Sequence, residues 1–243
     1  GSADGTAALA QQHAVGARVL RHGANRGSSA ALTTALSAAR HDLVAFLDAD
    51  DEWLPAKLEA QLGALAAMPG AAIIATGFAQ VTPGGAVRWT YGEEPAAREG
   101  ADFWKALLEH SMIAKPTVLT RRSLIERAGG LDPSLAVAED QDLWIRLALL
   151  GPVRYLPQPL VRVHEQAGSL SRRQRAPDLT HVLPLIERYL ERLDDRLTAA
   201  EVRHIRRRRY AAAAANLIDQ GYWREGWGAL RGARTNGEPL APH

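Results

Sequence analysis

The chain has 243 residues, of which 47% are hydrophobic and 23% charged, with a formal net charge of +2. This is about one and a half typical domains, apolar enough to exclude wholesale disorder, and no apolar run approaches the roughly 18 residues of a membrane-spanning helix. Cysteine is absent, which excludes disulfide frameworks, thiolate zinc sites and cysteine nucleophiles, so any metal must be held by oxygen or imidazole.

In chain order, Ala7 to Val15 has helical spacing and Arg18 to Arg21 is strand-like, ending at the turn signal Gly23-Ala24-Asn25. Asn25 to Ser29 opens a helix to about Arg40, with Ser28 or Ser29 as the expected N-cap. Leu43 to Leu47 is continuously apolar and short, the pattern of a strand buried on both faces of a parallel sheet. Asp48-Ala49-Asp50-Asp51-Glu52-Trp53 follows, then a helix from Pro55.

Ala71 to Val81 and Val87 to Tyr91 read as strands joined by a hairpin-like turn at Thr82 to Gly85. Asp102 to His110 reads as a helix, Thr117 to Thr120 as a strand, and Ser123 to Ala128 as a helix stopped by Gly129-Gly130. Glu139 to Leu150 is helical. Val153 to Tyr155 and Leu160 to His164 are two strands set off by Pro157 and Pro159. Alternating strands and helices indicate an α/β layer fold. Past Ser171 the pattern is helical only, with a Thr198/Glu201 capping box and a final helix holding Tyr222, Trp223 and Trp227. The expected division is an α/β domain over residues 1–170 and a helical extension over 171–243.

Two acidic clusters carry candidate chemistry. Asp48, Asp50 and Asp51 stand where a strand leaves its sheet, the edge at which open α/β folds bind ligands, and a hard divalent cation is their natural partner. An EF-hand is excluded because Trp53 occupies the position that motif reserves for glycine. The bland alternative makes Asp51 a helix cap and leaves the others solvated. Glu139-Asp140-Gln141-Asp142 opens a helix whose dipole favours carboxylates, which by itself accounts for the acids. The functional alternative aims one of them into a cleft as a proton acceptor, with Trp144 four residues from Asp140 as an aromatic surface for a sugar ring.

Of the 29 basic residues only Lys57, Lys105 and Lys115 are lysines. Eleven arginines against six acids lie between Ser171 and Arg209. That surface could meet phosphate, nucleic acid or anionic lipid, but no aromatics interleave with it as a nucleic-acid stacking platform requires, so a nucleic-acid partner is not expected.

Taken together, Gly1 to Thr6, Asn25-Arg26-Gly27, Phe46 to Leu54, Gly129-Gly130-Leu131-Asp132 and Ala138 to Arg146 resemble the family 2 glycosyltransferases over roughly the first 170 residues. The resemblance implies the GT-A nucleotide-diphospho-sugar transferase fold, a Rossmann-like mixed α/β sheet between helices. It further implies inverting transfer of a sugar from a nucleotide-diphosphate donor to an acceptor hydroxyl, the acceptor being a saccharide or a lipid-linked one, as in bacterial cell-envelope polysaccharide synthesis. By position, Asp48 matches a donor-ribose contact, with Asn25, Arg26 and Gly27 also on the donor. Asp50 matches the ligand of a divalent cation, Mn2+ or Mg2+. Asp140 matches the general base, with Glu139 and Trp144 on the acceptor side, and His164 falls where relatives offer a basic residue or metal ligand.

Relatives begin with a strand, a helix and a second strand ending in two aspartates. Their absence ahead of Gly1 reads as an amino-terminal truncation that weakens donor binding and leaves the strand near Val19 without a neighbour. The second functional alternative is therefore a non-catalytic binding or scaffold remnant. A cytoplasmic location is expected, and the charge of the arginine-rich tail, which lies outside the resemblance, raises a contact to the inner face of the membrane as a further expectation.

Overall fold

The computed structural model describes residues 5–13, 16–92, 100–165 and 176–235. Its elements are α1 (Thr6–Gln12), α2 (Gly27–Ala38), β1 (Leu43–Ala45), β2 (Glu52–Trp53), α3 (Lys57–Ala67), β3 (Ile73–Val81), β4 (Val87–Tyr91), α4 (Phe103–Glu109), β5 (Val118–Arg121), α5 (Arg122–Arg127), α6 (Glu139–Leu150), β6 (Val153–His164), α7 (Leu183–Arg192), α8 (Ala199–Asp219) and α9 (Trp223–Arg234). The sheet runs β1-β5-β3-β6-β2, with β4 paired to β3 outside that path. Only β3 and β6 pair in parallel, and the other ladders are antiparallel. The sheet is thus mixed, with helices packed around it, and an all-helical region follows.

Three local expectations are corrected. The segment near Val19 carries no strand, because none of the described residues offers it a ladder. β1 is an edge strand paired antiparallel with β5. It is not buried on both faces: Phe46 is 5% exposed, but Leu43 and Leu47 are 38% and 51% exposed. The N-cap position of α2 is Arg26, not a serine, and the Arg26 side chain makes no capping hydrogen bond.

The two strands expected on either side of Pro157 and Pro159 are one strand, β6. The prolines cannot donate to the ladder, and the register against β3 shifts around Gly77 to pass them. Gly77 is required there, since a Cβ would lie 2.4 Å from the Tyr91 carbonyl and 2.7 Å from that of Pro157.

α6 is buried nearly all round, with Leu143, Ile145 and Leu147 at 0% exposure, as expected of a helix whose apolar residues are not confined to one stripe. Each such side chain contributes about 1.5–3 kcal/mol by burial. The main core joins α4, α6 and the sheet to Leu185, Ile186, Tyr189 and Leu190 of α7 and Ile205 of α8. A second cluster holds α8 to α9 through Tyr210, Leu217 and Ala229. The capping box forms as expected, with Thr198 and Glu201 each satisfying the other's backbone N–H. Among the described residues no helix is long and apolar enough to cross a membrane.

Candidate active site

The centre of the site is Lys115, on a single 3-10 turn (Lys115–Thr117) just ahead of β5. Its Nζ donates to Asp48 Oδ1 at 3.2 Å and lies 3.8 Å from Glu139 Oε1. Burial alone would push the ammonium's pKa down, but the charges of Asp48, Asp140 and Glu139 outweigh it and hold the pKa above its ordinary value. One cation therefore draws together the loop after β1 and the first turn of α6.

The two carboxylates from the first turn of α6 have raised pKa values. Burial pushes Asp140 upward, with Lys115 and the Gln141 N–H opposing, and Asp48 adding to the rise. The Gln141 N–H donates to Asp140 Oδ1 at 2.7 Å. Burial also raises Glu139, helped by Asp140 and opposed by Lys115 and a hydrogen bond from Ser28. A partly buried carboxylate with a raised pKa is the kind of group that serves as a general base. Asp142, from the same sequence cluster, has another job: it takes Arg146 Nε at 2.9 Å and Tyr189 Oη at 2.7 Å, tying α6 to α7.

The residue before α6, Ala138, has φ 64° and ψ 20°. This left-handed backbone is uncommon for a residue with a Cβ, and such strain is found where surrounding structure fixes a site. It turns the chain so that Glu139 and Asp140 leave the loop toward Lys115. Asp140 also lines a cavity of about 180 Å³ with Ser111, Met112 and Gln141. Ser111 donates to Gln141 Oε1 at 2.7 Å, and buried Arg209 of α8 donates to Ser111 Oγ at 3.0 Å and to the Leu108 carbonyl at 2.5 Å. The helical region thus supports the wall beside Asp140.

Asn25 Oδ1 accepts the Gly27 N–H at 2.9 Å, a local turn that starts α2. That helix then brings Ser28 to Glu139 and Ser29 to the Leu135 carbonyl, so the Asn25-Arg26-Gly27 motif lies next to the second acidic cluster. Asp50 is exposed and makes no hydrogen bond or ion pair among the described residues. Asp51 Oδ1 accepts the His164 N–H at 3.1 Å, and burial, against that bond, raises its pKa to about 6. His164 Nε2 lies 4.0 Å from Glu52 Oε2.

Trp144 is 2% exposed, with its ring edge-on to Phe46 at 5.4 Å, so it lines the cavity beside Asp140 from the core and presents no open surface patch. The arginine-rich tail mixes paired, buried and exposed cations. Arg206 is bound to Glu187 through Nε and Nη2, at 3.0 and 2.7 Å to Oε2, and Arg209 is buried. Sequence reasoning missed Lys115 and the Arg209–Ser111–Gln141 chain. The available signal was the rarity of lysine: Lys115 binds acids, Lys105 pairs with Glu201 at 2.7 Å, and Lys57 is fully buried.

Among the described residues no three His, Asp or Glu side chains are grouped to hold a metal ion by themselves. The donors near Asp50 are nevertheless hard oxygens, suited to Mg2+ or Mn2+ when further ligands come from a diphosphate.

The acidic loop at the end of β1 thus faces a partly buried carboxylate on α6 beside a small cavity. The profile described as "Glycosyl transferase family 2" matches residues 1–127, and the chain belongs to that family. The Asp140 cluster lies beyond the matched span. The chain is 33% identical over 155 residues to the pre-mycofactocin glycosyltransferases of two Mycobacterium tuberculosis strains, CDC 1551 / Oshkosh and ATCC 25618 / H37Rv. That alignment covers 59% of this chain and 31% of those relatives, so the chain spans under a third of their length. The crystal structure of S. aureus TarS 1-349 superposes with a TM-score of 0.55 at 18% identity, covering 87% of this chain and 62% of that one. The shared fold is the GT-A type.

Proposed function

We propose that the chain transfers a sugar, with inversion, from a nucleotide-diphosphate donor to the hydroxyl of a saccharide or lipid-linked acceptor. The observation that carries this reading is the convergence of Asp48, Glu139 and Asp140 on Lys115. In this reading, the acid taken as donor-side and the acid taken as acceptor-side share one positive charge.

In this reading Asp140 takes the proton of the acceptor hydroxyl as its oxygen bonds to the anomeric carbon, while the bond from that carbon to the diphosphate breaks. Direct displacement from the opposite face inverts the anomeric centre. The leaving diphosphate gains negative charge, and Asp50 would hold a divalent cation that, when bound, would stabilise that charge more in the transition state than in the ground state. Asp48 orients the donor ribose and is itself fixed by Lys115. Lys115 also limits the repulsion between the incoming diphosphate and the acids. Asn25 to Gly27 approach from the start of α2, and His164 borders the cation side through Asp51.

The test is incubation with a panel of nucleotide sugars and simple saccharide acceptors, with Mn2+, Mg2+ or a chelator, followed by product analysis. Cation-dependent transfer with inverted configuration supports the proposal. Cation-independent transfer, or retained configuration, contradicts it.

A further inference from the structure

We propose that a second cleft, between the Gly129–Pro133 loop and α7, binds a phosphate-bearing anion separately from the site around Lys115. The cleft encloses about 480 Å³, within the size range of small-molecule sites. Its floor is Arg146, whose Nη1 donates to the Gly130 carbonyl at 2.7 Å and whose Nε donates to Asp142 at 2.9 Å. Gly129 and Gly130 have φ of 89° and 72°, a left-handed pair that turns the Ala128 and Gly130 carbonyls onto this guanidinium.

The acceptors of the cleft are already engaged, and so are the donors Arg146 and Tyr189, which leaves the two arginines at its mouth. Asp142 is taken by Arg146 and Tyr189, and Asp132 Oδ1 accepts both the N–H and the hydroxyl of Ser134. Arg188 and Arg192, one turn apart on α7, line the mouth, are exposed, and form no hydrogen bond or ion pair among the described residues. Arg188 acts electrostatically on Asp132 across the cleft, which draws it toward the loop. Two planar guanidinium forks over a floor whose Arg146 is already neutralised by Asp142 suit a ligand that is rich in acceptors and negatively charged, and phosphate oxygens match fork geometry.

The test titrates the isotope-labelled chain at constant ionic strength with inorganic phosphate, and separately with phosphatidylglycerol vesicles, following the Gly129 and Gly130 amide resonances. Saturable shifts are expected, with Kd at least tenfold weaker in the Arg188→Ala/Arg192→Ala double variant and unchanged in Asp50→Asn. Response to inorganic phosphate assigns a soluble phosphorylated ligand, and response to vesicles alone assigns a lipid headgroup. Both depend on the two arginines. Because Arg188 and Arg192 are exposed, the double variant should melt as the wild type does. No saturable shift with either probe, or shifts indifferent to the double variant, overturns the proposal. Loss of the shifts in Asp50→Asn also overturns it, since that places the phosphate at the acidic loop.

Discussion

Lys115 Nζ lies 3.2 Å from Asp48 Oδ1, across 67 positions of sequence, and this pair fastens the loop after β1 to the turn before β5. Because Glu139 and Asp140 face the same ammonium, its removal leaves three acids in mutual repulsion. Lys115→Met is therefore expected to raise the pKa of Asp140 further, since the cation that stabilises its ionised form is gone. The acid limb of the rate–pH profile then moves to higher pH. Lys115→Arg keeps the charge and should move it much less. A profile unchanged in Lys115→Met contradicts the electrostatic role.

Lys57 offers a stability test away from that charge cluster. It is 0% exposed, donates to Gln61 Oε1 at 2.8 Å, lies 4.2 Å from the Trp53 ring centroid, and has its pKa lowered to about 8 by burial. The unfolded chain binds this proton up to about pH 10.5 and the folded chain only to about pH 8. Between those values the unfolded state holds more protons, so stability rises with pH. Relative to Lys57→Met, the wild type should gain on the order of 3 kcal/mol from pH 8 to pH 10.5. Parallel denaturation curves across that range refute the assignment.

Arg209 joins the helical region to the α/β layer. Its guanidinium donates to the carbonyls of Leu107 and Leu108 and to Ser111 Oγ from a site 5% exposed. Arg209→Met removes the charge but strands those acceptors, and hydrogen bonds to charged groups contribute about 1.5–3 kcal/mol each. Urea denaturation should show a loss of at least about 3 kcal/mol. A loss below about 1 kcal/mol means the helical region is not anchored at this point.

Much of this architecture is legible in the residues themselves, because the elements with strong local signals formed where periodicity and turn chemistry put them. α6 spans the residues expected of it, and the Thr198/Glu201 box closes. The failures share a cause: pairing partners are not written in a local pattern. Leu43 to Leu47 has the composition of a central strand, yet its ladder makes it an edge. The Trp144 spacing from Asp140 is real, but Phe46, nearly a hundred residues earlier, covers its ring. At the site, both acidic clusters were visible as sequence. Lys115 was not, because its meaning depends on two segments meeting in space.

Ala138 tests the local strain beside the site. Its φ of 64° costs about 1 kcal/mol in a residue with a Cβ, and glycine carries no such penalty. Ala138→Gly should leave thermal stability unchanged or slightly higher, despite the greater entropy of the unfolded chain. A marked loss of stability indicates that the methyl group, 9% exposed, matters more through packing than the backbone does through strain.

The most direct measurement compares donor binding and sugar transfer in wild type, Asp48→Asn and Asp140→Asn, using one nucleotide sugar with Mn2+. Asp140→Asn should bind the donor within about twofold of wild type while transfer falls by roughly 10²–10⁴, the share a general base supplies. Asp48→Asn should lose donor affinity. Undiminished transfer by Asp140→Asn contradicts the assignment of the acceptor's proton to this carboxylate.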